Sequence, residues 1–362
     1  MAELTIKTKS KAYPVYIGKN IFQEVELDLA AELSTYSKVF VLTDQHVADL
    51  YLDKIEHLLA SNENVVYYVT PNGEEAKTFA VYEDIITKAI EAGLDRKSVL
   101  LAFGGGVIGD LGGFVAATYM RGIPFYQIPT TILAHDSAVG GKVAINHSLG
   151  KNMVGVFYQP EAVIYDTFFL TSLPIREIRS GFAELIKHAL ISSASLLEEL
   201  MKTYQSEADF YEKDMTPFLL KGIQVKAEIV AKDEREESVR AFLNFGHTFG
   251  HALEAYGNYG RWLHGEAVIY GMMYALHMSK IAFSLPFDLD RFIGWLKGLG
   301  YITELPQDVS FNEIYQHMYR DKKTTFAEIK MVLLHDIGQV DILPIQTELA
   351  ETTFDQMERG GN

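Results

Sequence analysis

The first half of the chain alternates short apolar runs with amphipathic stretches. Val39–Thr43, Val65–Thr70, Ser98–Phe103, Phe125–Ile128 and Ala162–Tyr165 are compact runs rich in Val, Ile, Phe and Tyr, and they read as strands. Between two of them, residues 78–92 place Val81, Ile85, Ile86 and Ile90 at helical spacing. Strand and helix alternating in this way predict a mostly parallel sheet with helices on both faces. After Leu173-Pro174-Ile175-Arg176 the pattern changes. Helical periodicity runs through about 179–206, 214–232, 241–256, 263–284 and 287–298, and no strand-like block returns until Ile329–Leu334. The expected fold is α/β. An N-terminal Rossmann-like domain with a mostly parallel sheet covers 1–175, and a C-terminal mainly α-helical domain covers 176–362.

Composition narrows the function. A chain of 362 residues with 48% hydrophobic content can bury two cores. Its formal charge of −16, without a basic cluster, argues against a nucleic-acid partner. An anionic small molecule is still compatible, because a few cations converging in a cleft can outweigh the net charge locally. With no cysteine, disulfides and thiolate ligands are excluded, so a metal must use His, Asp or Glu. The first residues, Met-Ala-Glu-Leu-Thr-Ile-Lys, lack the apolar core of a secretory signal, and the apolar runs are short for a bilayer. The expectation is a cytoplasmic protein with no membrane role.

Phe103-Gly104-Gly-Gly106-Val107-Ile-Gly109-Asp110 fits the G-x-G-x-x-G spacing between an apolar strand and a helix. Bare backbone there lets a pyrophosphate approach, and the helix N-terminus offers amide donors. Two details differ from the usual dinucleotide pattern. The turn comes after about a hundred residues rather than near the start of the sheet. No acid follows about twenty residues on to hold a ribose, which leaves Asp44, just past an earlier strand, as the candidate. A helix cap is the plainer reading of Asp44. Asp110, read as lying in the first helical turn, suits helix stability and also faces the nucleotide side.

The stretch from Thr130 to Asn152 is dense in small and polar residues, with Thr130, Thr131, His135, Asp136, Ser137, Gly140, Gly141, Lys142, Asn146, Lys151 and Asn152. Surface loops commonly hold lysines. In so acidic a chain, however, Lys142, Lys151 and Arg121 read as a clamp for phosphate or carboxylate.

The metal candidates lie later. His247 and His251 are four apart and His264 follows, so spacing favours His247 and His251 as a ligand pair completed by a carboxylate from elsewhere. Spacing leaves open how His264 enters and where the acid comes from. Arg240 and Asn244 lead into the same segment, which predicts one helical face carrying Arg, Asn, His and His. Glu184 and Lys187, three apart, are either an ordinary surface pair or a ligand beside a cation.

Together the blocks Gly104–Arg121, Pro129–Asn152, Arg179–His188 and Lys226–His264, with Pro71-Asn-Gly-Glu74-Glu-Ala-Lys77, resemble the 3-dehydroquinate synthases, sugar-phosphate cyclases of the shikimate pathway. The resemblance covers nearly the whole chain. It implies metal ligands Glu184, His247 and His264, holding Zn2+ or Co2+, and moves His251 from the metal to the substrate phosphate. It implies NAD+ contacts at Asp44, Glu74, Lys77, Gly105, Gly106, Val107, Asp110, Thr130, Thr131, Asp136, Ser137, Lys142, Lys151 and Thr171. It implies substrate or catalytic roles for Asp110, Lys142, Asn152, Lys187, Lys226, Arg240, Asn244 and His251, and for Lys322 or Lys323. Arg121 is implied to reach the neighbouring site of a homodimer. The implied reaction converts 3-deoxy-D-arabino-heptulosonate 7-phosphate to 3-dehydroquinate and phosphate. It runs through transient oxidation at C5, phosphate elimination, re-reduction, ring opening and aldol closure. This chain departs from the usual pattern near 135, where His-Asp-Ser-Ala is one residue shorter, and at Ser148, which replaces a common proline. The rival readings are a cyclase acting on glucose 6-phosphate or sedoheptulose 7-phosphate, a metal-dependent polyol dehydrogenase, and a non-enzymatic nucleotide-binding scaffold.

Overall fold

A computed structural model describes residues 1–321 and 328–359. In chain order its first elements are β1 (Ala2–Lys7), β2 (Ala12–Gly18), α1 (Ile21–Leu33), β3 (Val39–Asp44), α2 (Gln45–Leu58), β4 (Val65–Thr70), α3 (Phe79–Glu91), β5 (Val99–Gly104) and α4 (Gly106–Thr118). There follow β6 (Phe125–Pro129), α5 (Ala134–Ser137), β7 (Lys142–His147), β8 (Gly150–Phe157) and β9 (Ala162–Asp166). The helical elements are α6 (Ile175–Ser192), α7 (Ala194–Thr203), α8 (Asp209–Glu212), α9 (Thr216–Lys232), α10 (His247–Tyr256), α11 (His264–Phe283), α12 (Leu289–Gly298) and α13 (Phe311–Asp321). A hairpin of β10 (Lys330–Asp336) and β11 (Gln339–Pro344) precedes α14 (Thr347–Arg359). The backbone forms two compact units. One comprises Met1–Leu173 with Lys226–Arg235, the other Pro174–Val225 with Glu236–Asn362.

In the first unit a seven-stranded sheet has the order β1-β2-β9-β6-β5-β3-β4, parallel except for the β1–β2 pair. The central strands are buried on both faces, which is why they read as unbroken apolar runs. Side chains still divide by the two-residue period. Val39, Val41, Val99, Leu101 and Phe103 enter one core with Val47 and Ile55 of α2. Phe40, Leu42, Leu100 and Ala102 enter the other with Ile85 of α3 and Ile108, Leu111 and Val115 of α4. From β3 the chain winds outward to β4, then returns to place β5 on the other side of β3. The carboxyl ends of β3 and β5 therefore flank the point where winding reverses, the usual ligand crevice of such sheets. This explains the late glycine turn, because β5 rather than the first strand stands at the switch.

The predicted α/β class agrees with this architecture, with several corrections of detail. The polar stretch after residue 140 is a two-stranded hairpin, β7–β8, with Lys142 opposite Phe157. The 179–206 periodicity is two helices. Ser193 takes an extended conformation and accepts a hydrogen bond from Leu196 N, capping α7. α4 begins at Gly106, so Asp110 lies in its second turn rather than its first. No helix among the described residues is long and apolar enough to cross a membrane.

In the second unit, α6, α10 and α11 pack closely. A Cβ on Gly271 of α11 would fall 1.8 Å from the carbonyl oxygen of Gly246, and one on Gly265 would fall 1.9 Å from that of Ser180 in α6. Both positions demand glycine for close approach. Beyond these contacts Phe249 stacks on Tyr274 with ring centroids 4.4 Å apart, worth about 0.5–1.5 kcal/mol beyond area burial. Gly271→Ala should therefore force α10 and α11 apart, at a cost of about 1–3 kcal/mol. A thermal melt should show the midpoint lowered by several degrees, and an unchanged midpoint would contradict the packing described.

Candidate functional site

Glu184 lies near the middle of α6 and is fully buried. α10 opens with His247 and α11 opens with His264, so both imidazoles stand at helix N-termini. The start of α11 is tied to α6 in two ways. Gly265 N donates to Ser180 Oγ at 3.0 Å, and Arg176 forms a two-point pair with Glu266, both contacts at 2.7 Å. His247 Nε2 then lies 3.6 Å and His264 Nε2 3.5 Å from the same Glu184 Oε1.

The outer nitrogens are occupied. His247 Nδ1 lies 3.2 Å from the carbonyl oxygen of Phe245, and His264 Nδ1 lies 3.2 Å from Glu254 Oε2. With Nδ1–H donating to these acceptors, each ring presents Nε2 toward Glu184, the arrangement of a metal-ligating histidine. Ligand atoms of Glu184, His247 and His264 all lie within 4.8 Å of one another. Donors about 2.1 Å from a tetrahedral zinc sit about 3.4 Å apart, so the spacing fits an ion with little adjustment. Burial, opposed by the Glu184 carboxylate and reinforced by Lys187, holds His247 well below its usual pKa. Burial also opposes charge on His264, but hydrogen bonds to the carboxylates of Glu184 and Glu254 outweigh it and push this imidazole up to about 10. An ion taking His264 Nε2 would displace a proton held there.

The one-face reading of the Arg240–His251 segment fails at Gly246. That residue has φ of +80° and separates a 3-10 turn, Val239–Asn244, from α10. Arg240 and Asn244 belong to the turn, while His247 and His251 belong to the helix. Arg240 is buried, and Asn244 Nδ2 donates to Glu236 Oε1 at 2.6 Å. The ring of His251 lies 5.2 Å from that of His247 and 5.9 Å from that of His264. His251, Glu254 and His264 form a second, overlapping group of potential ligands. Lys187 contacts Glu184 with both partners fully buried, so the surface-pair reading is wrong. Two charges withdrawn from water are weak evidence for stability and point instead to a function.

In the first unit the glycine turn caps α4 at Gly105. A Cβ on Gly105 would meet Thr131 at 2.9 Å, and one on Gly106 would meet Ser137 Oγ at 2.9 Å. Thr130, Thr131 and Ser137 thus line the same turn, with Val107 in the first turn of α4. Asp44 ends β3 and caps α2 through Val47 N at 2.9 Å, as its plainer reading predicted. Lys77, buried, reaches Asp110 at 2.7 Å and Asn152 at 2.5 Å. Burial raises the Asp110 carboxyl, and the Lys77 ammonium opposes that rise. Glu74 accepts from Asn146 at 2.7 Å and pairs with Lys151 at 3.5 Å. Lys226, in the second half of α9, contacts the backbone oxygen of Asp136 at 2.6 Å and its carboxylate at 3.0 Å. Lys142 is exposed on β7, and Thr171 donates to the carbonyl of Phe168. Arg121 is exposed with φ of 72°. Lys322 and Lys323 lie outside the described residues.

Two contributors escaped the sequence reading. Glu254 is on the helical face of His247 and His251, at +7 and +3, and that spacing was the available signal. Glu236 lies in an acid-rich loop and has φ of 61°, and no local pattern marked its contact with Asn244.

A doubly wound nucleotide-type sheet in one unit and, in the other, a buried carboxylate facing two part-buried histidines point to an NAD- and metal-dependent class of enzyme. Residues 67–180 match the model of the 3-dehydroquinate synthase N-terminal domain, and 181–324 match that of the C-terminal domain. The 3-dehydroquinate synthase of Listeria monocytogenes serotype 4b is 63% identical over 100% of both chains. That of Geobacillus thermodenitrificans is 48% identical over 100% of this chain and 99% of its own. Among solved structures, 2-deoxy-scyllo-inosose synthase complexed with carbaglucose-6-phosphate, NAD+ and Co2+ superposes with a TM-score of 0.88 at 26% identity, covering 98% of this chain and 100% of that one. The chain belongs to the 3-dehydroquinate synthase family.

Proposed function

We propose that the chain catalyses the reaction of its family, converting 3-deoxy-D-arabino-heptulosonate 7-phosphate to 3-dehydroquinate and phosphate. Full-length identity to family members supports this reading. The observation that carries it is the buried Glu184 carboxylate facing the Nε2 atoms of His247 and His264. These three residues would hold Zn2+ or Co2+, since oxygen and imidazole donors suit either ion. When bound, the metal would supply polarisation of the C5 oxygen and NAD would supply a hydride acceptor and donor, with no net redox change.

The chain's own residues bind and orient. In the first unit the β3/β5 switch point, the bare backbone at Gly105 and Gly106, and the Asp44 carboxylate suit a pyrophosphate and a ribose hydroxyl. Glu74 and Lys77 of the family's nucleotide-side motif, with Asp110, Thr130, Thr131, Asp136, Lys151 and Thr171, would contact the nucleotide. Lys142, Asn152, Lys187, Lys226, Arg240, Asn244 and His251 match the family's substrate residues. Arginine and lysine would hold the phosphate and carboxylate, while Asn152 and His251 would orient the phosphate. The phosphate itself then accepts the neighbouring carbon's proton during elimination. One of Lys322 and Lys323 joins this set by motif.

A carboxylate-bearing substrate is favoured over glucose 6-phosphate or sedoheptulose 7-phosphate by the added cations Lys226 and Arg240, both buried. The proposed assembly is a homodimer. Leu149, Met153, Val156 and Phe157 on and beside β8 are exposed, as is Met120 beside Arg121. Arg121 would reach the partner's substrate. The proposed setting is the cytoplasm, which cell fractionation tests.

Phosphate release and NADH absorbance followed together in one cuvette test the reaction. The expected result is stoichiometric phosphate from the heptulosonate phosphate with no accumulation of NADH. Net NADH, or equal turnover of a sugar phosphate lacking the carboxylate, would contradict it. Arg121→Ala should be inactive alone and partly restored in mixed dimers with a different inactive variant. Failure of every such pairing would remove the cross-subunit role.

A further inference from the structure

We infer that Glu254 is the positioning residue of the metal centre, acting through His264. The inference rests on the ligand set proposed above. Glu254 lies in the last turn of α10 and is 5% exposed. Withdrawing a carboxylate from water costs several kcal/mol unless a charged or strongly donating partner meets it. Its Oε2 lies 3.2 Å from His264 Nδ1, on the side of the ring opposite the Nε2 that faces Glu184.

This contact does three things. It selects the tautomer with the proton on Nδ1 and the lone pair on Nε2. It holds the ring plane, which matters because His264 is the first residue of α11 and its side chain is 27% exposed, whereas that of His247 is 12% exposed. It also makes Nε2 a stronger donor, because a carboxylate hydrogen bond places negative charge behind the ring. In the corresponding place His247 meets, among the described residues, the carbonyl of Phe245. The two imidazoles are therefore supported unequally, and the more exposed one has the charged support.

Two other roles are distinguishable. Glu254 could be an ion ligand itself, in the overlapping group with His251 and His264. It could also simply hold the turn after α10, where its carbonyl oxygen accepts from Tyr259 N at 2.8 Å. That backbone bond survives side-chain substitution, so the variants separate the roles.

The test compares the full-length protein with Glu254→Gln, Glu254→Ala and His264→Ala. Zinc affinity is measured by competition with a chromophoric chelator, and the visible bands of the cobalt-loaded protein are recorded. Glu254→Ala should lower zinc affinity about 10–100-fold and shift the cobalt bands. Glu254→Gln, nearly isosteric and still able to accept from Nδ1–H, should fall between Glu254→Ala and the parent. It also serves as the folded variant if alanine does not fold. His264→Ala should lose the ion. Parent-like affinity and cobalt bands in Glu254→Gln and in every folded Glu254 variant would overturn the inference alone. Complete loss of the ion in Glu254→Gln, matching His264→Ala, would make Glu254 a ligand and overturn it as well. Absence of tight zinc in the parent, or full retention in His264→Ala, would instead overturn the three-ligand reading beneath it.

Discussion

The candidate metal centre depends on how closely three helices can approach. Glu184, His247 and His264 come from α6, α10 and α11, and no two share an element. Their donor atoms converge because Gly265 and Gly271 let backbone meet backbone where any side chain would collide. The Arg176–Glu266 pair and the Ser180–Gly265 bond then fix the start of α11 against α6. The histidines need no unusual conformation of their own. Each occupies the first position of its helix, and packing does the rest.

The second constraint is electrostatic. In a chain of net charge −16, three lysines proposed to bind ligands meet acids of the same chain. Lys187 meets Glu184, Lys77 meets Asp110 and Lys226 meets Asp136. These lysines are buried, and such pairs are poor sources of stability compared with apolar packing. Their retention is better explained by preorganisation, since a charge already desolvated and oriented needs little rearrangement when an anion arrives.

Much of this was legible in the sequence, for identifiable reasons. The central strands announced themselves because burial on both faces leaves no polar interruption, and their ends agree with the apolar runs to within a residue or two. The glycine turn was legible from its context between strand and helix. The β7–β8 hairpin was not, because its residues were read as polar binding groups rather than for two-residue alternation. The i, i+4 histidine pair and the resemblance gave different ligand sets. Spacing along one helix favours His247 with His251, whereas the positions of Glu184 and His264 depend on contacts far apart in sequence. Resemblance to a family supplied that long-range information. The break at Gly246 and the support of His264 by Glu254 were visible only in three dimensions.

The most direct measurement is an anomalous difference map collected at the zinc edge from crystals of the zinc-loaded protein. One peak is expected at bonding distance from the Glu184 carboxylate and the Nε2 atoms of His247 and His264, with Glu254 hydrogen-bonded to Nδ1 on the far side of the His264 ring. A peak bound instead by His251, Glu254 and His264 would contradict this ligand set.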